Sequence, residues 1–294
     1  MWAGGKNKMI SKYLEFPGIP TTDYDTYIEP FFGGGAMMIW LYQNNTQIKR
    51  YIINDIKSEL IGIYRAIKTD CDNFTNHMDN LSKQYLPLDK SSRKSFYYDL
   101  RTEYTQDYQS WDTTQEAATL YFLMKTAFNG IWQSKKDSNG RFATPCGLLN
   151  QKDKVYDYEN VKKWEIFLQN AEIYCGDWKK SCENLDSKTF LFADPPYRDS
   201  FTSYGQEFSD SEHQKLIEFC VDQDLRGNMV FYCNRDDSDD GFFDKHCAHL
   251  HKQHYSIKYT AGRRGTSDDG TRTAKDAKEI LLFSPRQKPL FHWT

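Results

Sequence analysis

Several absences narrow the class of this chain before any motif is read. None of its seven cysteines (Cys71, Cys146, Cys175, Cys182, Cys220, Cys233, Cys247) forms a C-x-x-C pair, which excludes the usual spaced zinc and dithiol patterns. Their odd number and scattered spacing argue against a disulfide framework, so a reduced, cytoplasmic, metal-free protein is expected. Long apolar runs are missing too. The strongest, Ile28 to Tyr42, is broken by Glu29, Pro30 and three glycines, and Met1 to Lys12 lacks the apolar core of a signal peptide. Neither a membrane span nor a secretory leader is expected. Net charge is nearly absent, −3 from 38 Lys plus Arg against 41 Asp plus Glu, so no surface-wide attraction to polyanions operates. There is no internal repeat and no low-complexity tract.

What remains suffices for a real core. A chain of 294 residues with 16% aromatics is not disordered, and its length suits one core carrying a sizeable insertion. Phosphate binding needs only a local cationic strip, and two exist. Lys125, Lys135, Lys136 and Arg141 face Asp137 alone, while Lys258, Arg263, Arg264, Arg272, Lys275 and Lys278 face Asp268, Asp269 and Asp276. Charge by itself describes two solvated loops equally well.

The order of runs predicts an α/β fold. Tyr27 to Phe32 reads as a strand that ends in Gly33-Gly34-Gly35 and enters a helix, Ala36 to Gln43; Tyr51 to Ile53 is a second strand ending at Asn54-Asp55. Ala171 to Cys175, Thr189 to Ala193, Met229 to Cys233 and Ile280 to Phe283 read as buried strands, with a helix over Ser211 to Asp222. A Rossmann-like, doubly wound, mostly parallel sheet follows. Between Cys71 and Trp164 the character changes to Tyr-rich helices, Ser91 to Tyr104 and Thr114 to Thr126. These lead into Ile131 to Phe142, whose centre, Asp137-Ser138-Asn139-Gly140, signals a hairpin turn. The division expected is a catalytic domain over 1–69 and 165–294 and an inserted helical and β-hairpin domain over 70–164. The insertion should have its own small core and both ends near the carboxyl edge of the sheet.

The most informative residues are Asp194-Pro195-Pro196-Tyr197, directly after a strand. Two prolines restrict the backbone and remove two N–H donors, which lets the Pro195 carbonyl and the Asp194 carboxylate converge as acceptors. An exocyclic amine on a base offers two N–H bonds to such a pair, and Tyr197 offers a face for stacking. The segment Glu29 to Gly35, including Phe31, Gly33 and Gly35, is a glycine turn at a helix start, suited to a ligand lying against the backbone. It is not a nicotinamide fingerprint, because Met38 stands where the third glycine of G-x-G-x-x-G is required. Asp55 is placed to accept from ribose hydroxyls, although helix capping would explain it equally. Asp177, in Gly176-Asp177-Trp178, suits either a turn or the amino group of a nucleoside cofactor. Trp2 and Lys6, in Trp2-Ala3-Gly4-Gly5-Lys6, suit covering an adenosyl group and pairing with its carboxylate.

Taken in order, these residues resemble the Dam-type DNA adenine methyltransferases over most of the chain. Trp2 to Lys6 resembles the family's opening motif, Glu29 to Gly35 its cofactor loop, Asn54-Asp55 its second cofactor acid and Asp194 to Tyr197 its catalytic tetrapeptide. Phe128-Asn129-Gly130, with the hairpin to Pro145-x-Gly147, is similar to the DNA-reading insertion, and Gly270-Thr271-Arg272 to a late loop that approaches DNA. The resemblance implies S-adenosylmethionine as methyl donor, with Trp2, Lys6, Asp55 and Asp194 matching the family's cofactor contacts. It implies double-stranded DNA as partner, with Phe128, Asn129, Gln133, Lys135, Lys136, Asn139, Arg141 and Arg272 as contacts. Many members carry Arg where this chain has Gln133 and Leu148. Arg usually reads guanine and Gln more often adenine, so a GATC target is not implied.

The function expected is transfer of a methyl group to the 6-amino group of a flipped adenine by a protein that works as a monomer. No metal, covalent intermediate or general base is required. Three alternatives remain at this point. Cytosine amino methylation usually shows Ser in place of Asp194. RNA methylation is disfavoured by the insertion, and a non-enzymatic DNA-binding module would need no cofactor loop.

Overall fold

The computed structural model describes residues 6–45, 47–106, 110–134, 138, 140–198, 208–238, 240–247, 249–259, 265–266, 272–273 and 275–285. For 7, 258, 259, 265, 266, 272, 273, 275 and 276 it describes the backbone only.

Seven strands form one sheet: β1 (Thr26–Glu29), β2 (Arg50–Asp55), β3 (Ala171–Cys175), β4 (Thr189–Ala193), β5 (Met229–Arg235), β6 (His251–Tyr259) and β9 (Lys275–Phe283). Their spatial order is β3-β2-β1-β4-β5-β9-β6, and β7 (Gly265–Thr266) pairs with β8 (Arg272–Thr273) in a separate ribbon. The first five strands run parallel; β9 is antiparallel to both β5 and β6. Every residue of β1 and β4 is buried, which is why both read as runs rather than alternations. The strands expected over Ala171 to Cys175 and Thr189 to Ala193 have those same ends. β6 escaped the sequence reading because an edge strand has one wet face, and His251-Lys252-Gln253-His254 resembles a loop.

One face of the sheet carries Ile28, Ile52, Leu191 and Val230 against Leu216, Ile217 and Cys220 of α9 (Asp210–Leu225). The other face continues without a break into the helical segment. Tyr27, Phe32, Ile53 and Tyr64 share one cluster with Phe74 of α4 (Cys71–Tyr85), Tyr97 and Tyr104 of α5 (Lys90–Gln106) and Phe122 of α6 (Thr113–Thr126). The insertion therefore has no private core, contrary to expectation; its aromatic faces are too large to be covered without the sheet.

Its ends also differ from expectation. The last turn of α3 (Ser58–Thr69) lies at the amino edge, where Lys68 Nζ donates to the Ala171 carbonyl at 2.6 Å and Gln169 Nε2 to the Lys68 carbonyl at 3.0 Å. The helix between β2 and the insertion has already carried the chain across the sheet. Only the stretch after α6 returns to the carboxyl side, where Lys57 Nζ lies 5.6 Å from the Trp132 ring centroid. α7 (Tyr158–Leu168) then leads into β3.

Among the described residues of the hairpin expected over Ile131 to Phe142, an antiparallel bridge joins Ser134 to Phe142 and Ala143 N donates to the Gln133 carbonyl at 2.7 Å. A second bridge joins Ala127 to Cys146. All seven cysteines are unpaired. Among the described residues no helix is long and apolar enough to cross a membrane, and no three His, Cys, Asp or Glu side chains are grouped to hold a metal.

Candidate active site

Strand order reverses between β1 and β4, so the turn after Glu29 and the segment 194–197 emerge side by side at the carboxyl edge, where open α/β sheets bind ligands. Asp194 follows the last residue of β4. Its carboxylate is 19% exposed and Oδ1 lies 3.1 Å from Lys6 Nζ. Oδ1 has no solvent contact, which leaves Oδ2 as the outward oxygen. Among the described residues no donor reaches the Pro195 carbonyl. Lys6 precedes α1 (Asn7–Glu15) and is itself buried. Its ammonium also meets Glu279 Oε2 at 3.1 Å and donates to the Tyr197 hydroxyl, which in turn donates to Glu279 Oε1 at 2.6 Å.

Burial alone would lower the pKa of Lys6, but Asp194, Tyr197, Tyr13 and Glu279 outweigh it and hold that pKa well above its usual value. Asp194 moves the other way for an acid. Burial raises it to about 6, against the pull of Lys6 and with the added push of Glu279. Glu29, buried beside them and accepting from the Tyr27 hydroxyl at 2.8 Å, is held well above the carboxylate range, chiefly by burial. A carboxylate that ionises near neutrality at the end of a strand is the kind of group active sites are built to make.

Lys6 was expected to pair with a cofactor carboxylate. Its three N–H bonds are instead taken by Asp194, Glu279 and Tyr197, because the buried ammonium is drawn to the two buried carboxylates. Of the other expected cofactor residues, Phe31, Gly33, Gly35 and Asp55 form or bond the neighbouring turn. Gly33 has φ 49°, its N–H donates to Asp55 Oδ2 at 2.9 Å, and its carbonyl accepts from the Tyr64 hydroxyl at 2.7 Å. Asp55 Oδ1 accepts from Lys57 N at 2.9 Å, so this acid caps the chain and ties the turn at once. Burial raises its pKa. Gly35, with φ 61°, is required by the protein itself: a Cβ there would lie 2.4 Å from the Phe32 ring. Phe31 stands edge-on to Phe208 with centroids 5.5 Å apart. Asp177 caps α8 (Trp178–Ser181) by accepting from Lys179 N at 2.9 Å.

Ile56, next to Asp55, is 53% exposed and was missed by sequence reading, as was Glu279. An uncovered apolar side chain beside an acid and a positive-φ turn fits a flat nucleoside whose ribose meets Asp55. A signal for Glu279 did exist: it is a single acid opening the apolar run Ile280 to Phe283.

On the side of the insertion, Phe128 is 49% exposed, and Asn129, at φ 53°, turns the chain beneath it. Below it the segment is anchored by Trp132 and Phe142, both buried and edge to face at 5.3 Å. Gln133 and Leu148 are exposed, Leu148 by 70%. Arg141 corrects the expectation of a DNA contact. It pairs with Glu116 at 2.5 Å, approaches Glu59 at 3.9 Å and lies 4.2 Å from the Tyr104 ring centroid, so its charge is spent inside the protein. Trp2, Lys135, Lys136 and Asn139 lie outside the described residues, as does the side chain of Arg272.

The family model of the D12 class of N6 adenine-specific DNA methyltransferases matches residues 2–260. The chain is 32% identical over 293 residues to the type II methyltransferase M.MjaIII of Methanocaldococcus jannaschii, covering 96% of this chain and 97% of that one. It is 28% identical to the type II methyltransferase M.CviBI of Paramecium bursaria Chlorella virus NC1A, with 90% and 93% covered. To the retron Ec67 DNA adenine methylase of Escherichia coli it is 25% identical, with 96% and 90% covered.

Proposed function

The chain belongs to the D12 class of N6 adenine-specific DNA methyltransferases, and from that premise we propose that Asp194, Pro195, Pro196 and Tyr197 perform the transfer on an adenine flipped out of duplex DNA. The amine lone pair of adenine is delocalised into the ring and attacks poorly. Asp194 Oδ2 and the Pro195 carbonyl each accept one N–H bond, which favours a tetrahedral nitrogen and stabilises the positive charge that grows on it as the N–C bond forms. Lys6 holds Oδ1 and so points Oδ2 outward. Tyr197 supplies the face on which the extruded base stacks, offsetting an unstacking cost of about a few kcal/mol.

S-adenosylmethionine, when bound, supplies the electrophilic methyl group. Phe31, Gly33, Asp55 and Ile56 would hold it, with Asp177 beside the next strand end and Trp2 assigned by the family resemblance. Gly35 serves the turn by leaving room for Phe32. Phe128, Asn129, Gln133, Lys135, Lys136 and Asn139, within an insertion taken as 70–164, are assigned to DNA together with Arg272 of the catalytic part. The protein is read as a cytoplasmic monomer, and its unpaired cysteines suit a reducing compartment.

The division of labour between the two oxygens of Asp194 carries this reading. The test pairs Asp194→Ala with Gly33→Val. In Asp194→Ala, titration calorimetry should show undiminished S-adenosylmethionine binding while sequencing of co-expressed DNA finds no N6-methyladenine. Gly33→Val should lose the cofactor as well. Modified cytosine in the DNA, or near wild-type turnover in Asp194→Ala, overturns the reading.

A further inference from the structure

Glu279 takes no part in the chemistry above, yet the fold accepts its burial. It sits within β9, opposite Arg235 of β5 and Tyr255 of β6, with its side chain 1% exposed. A carboxylate moved into the protein interior costs several kcal/mol unless its partners are well placed. Its partners are Lys6 Nζ, 3.1 Å from Oε2, and the Tyr197 hydroxyl, 2.6 Å from Oε1. Each of its oxygens thus holds one of the two side chains that border Asp194. The Lys6 ammonium is 4.6 Å from the Tyr197 ring centroid, and the Arg235 guanidinium is 5.6 Å from it.

We propose that Glu279 is a positioning residue for methyl transfer, acting through Lys6 and Tyr197 on the segment 194–197. The inference rests on the reading of Asp194 as acceptor of the target amine. Two effects follow from the geometry. A hydroxyl held by Glu279 and Lys6 stops the Tyr197 side chain swinging about its Cα–Cβ bond, so the ring stays beside the acceptors. An ammonium shared between two carboxylates also leaves Asp194 more of its negative charge than an ammonium paired with Asp194 alone. Removing Glu279 lets Lys6 settle entirely on Asp194 and weakens it as an acceptor.

The groups that face Asp194 are Lys6 at the head of α1, Glu29 of β1, Cys233 of β5 and Glu279 of β9. Burial raises both Glu29 and Cys233, while Lys6 and Glu279 approach Asp194 from the other two elements. Glu279 raises the pKa of Asp194 and Lys6 lowers it. In Glu279→Gln the acid limb of the rate profile should therefore move to lower pH.

The experiment measures single-turnover methylation of duplex DNA from pH 5 to 9 in Glu279→Gln and Glu279→Ala, with calorimetry of S-adenosylmethionine. Misplacing reacting groups by about 1 Å can cost about 10²-fold, and a loss of that order is expected for Ala, with a smaller one for Gln and cofactor affinity within about twofold of wild type. A rate within about twofold of wild type with an unmoved acid limb overturns the proposal. So does a loss in which rate, cofactor affinity and melting temperature fall together while the limb stays put. Should the Glu279 variants fail to fold, Tyr197→Phe cuts the same tether and keeps the ring. It should be about tenfold slower, and a wild-type rate there overturns the proposal. Near wild-type turnover in Asp194→Ala would instead remove the reading beneath it, whatever Glu279 does.

Discussion

At the carboxyl end of β4, Lys6, Asp194, Tyr197 and Glu279 are joined by bonds and ion pairs that cross up to 273 residues of sequence, with Lys6 Nζ 3.1 Å from an oxygen of each carboxylate. In the stretch 127–149, Phe128, Gln133 and Leu148 are exposed on a chain whose buried side is held by two isolated bridges and by bonds from Tyr97 and Arg101 to the Ala143 and Thr144 carbonyls. The first region is fixed by strand register: moving any of its residues means moving a strand. The second can change its outward side chains while Trp132, Phe142 and Arg141 keep its base in place. Amine chemistry is the same for every adenine, whereas the bases around it differ between targets. On the proposed reading, the first task lies in the sheet and the second on a replaceable rim.

The sharpest way to break that contrast is Asp194→Asn. It keeps the shape and loses the charge, so the single-turnover rate should fall by about 10³-fold, as for other preorganised polar groups. The same variant should gain stability. Burial raises the native pKa of Asp194 to about 6 from the ordinary value of 3.8, so the native state favours the neutral form. Its contribution to stability is present below the unfolded pKa and lost as pH rises through 6. At pH 8 the Asn variant should be more stable by on the order of 1–3 kcal/mol in denaturant titrations, an advantage that vanishes below pH 4. A variant less stable at pH 8 would mean that Asp194 is a structural ion-pair partner.

In the wild type, the rate should fall about tenfold per pH unit below pH 6, because a protonated Asp194 no longer accepts through both oxygens. A flat profile down to pH 5 would exclude the carboxylate as the titrating acceptor. On the rim, Phe128→Ala should slow methylation by about 10-fold or more, since base–aromatic stacking contributes about 1–3 kcal/mol. Its target motif should not change, and unaltered kinetics would return Phe128 to an idle surface role. Gln133→Ala should relax or alter the motif at a cost of about 1–3 kcal/mol per lost contact, read by profiling of modified bases, with the salt dependence of binding unchanged. The smallest effect on DNA is expected for Arg141→Ala. It should lower the melting temperature while leaving the salt slope of binding as it was; a slope reduced by about one would show that Arg141 reaches a phosphate after all.

Much of the first region could be read from the sequence, and little of the second. Thr189 to Ala193 is a short apolar run bounded by polar residues, and Asp194 to Tyr197 contributes nothing that a fold needs, so both strand and site stood out. Glu279 did not, because its meaning depends on strand order: only when β9 enters beside β5 does it face Lys6 and Tyr197. Arg141 misled for a related reason. In the sequence it follows a turn among other cations, and its partners Glu116 and Glu59 lie on helices that the chain brings back only in three dimensions. Asp55 could not be resolved from sequence because capping and ligand binding call for the same residue at the same place; the structure shows the capping, and the lone pairs left over permit the second use.

β9 lies between β5 and β6, both of which precede it in the chain. While the protein is being synthesised these two strands leave the ribosome with a gap between them, and the gap closes only when the later segment slides in. That event also delivers Glu279 to Lys6, 273 residues earlier in the chain. On the proposed reading, a nascent chain can thus own its cofactor turn and its tetrapeptide while its stacking ring is still loose. Competence for methyl transfer would then arrive in one step, when β9 enters the sheet.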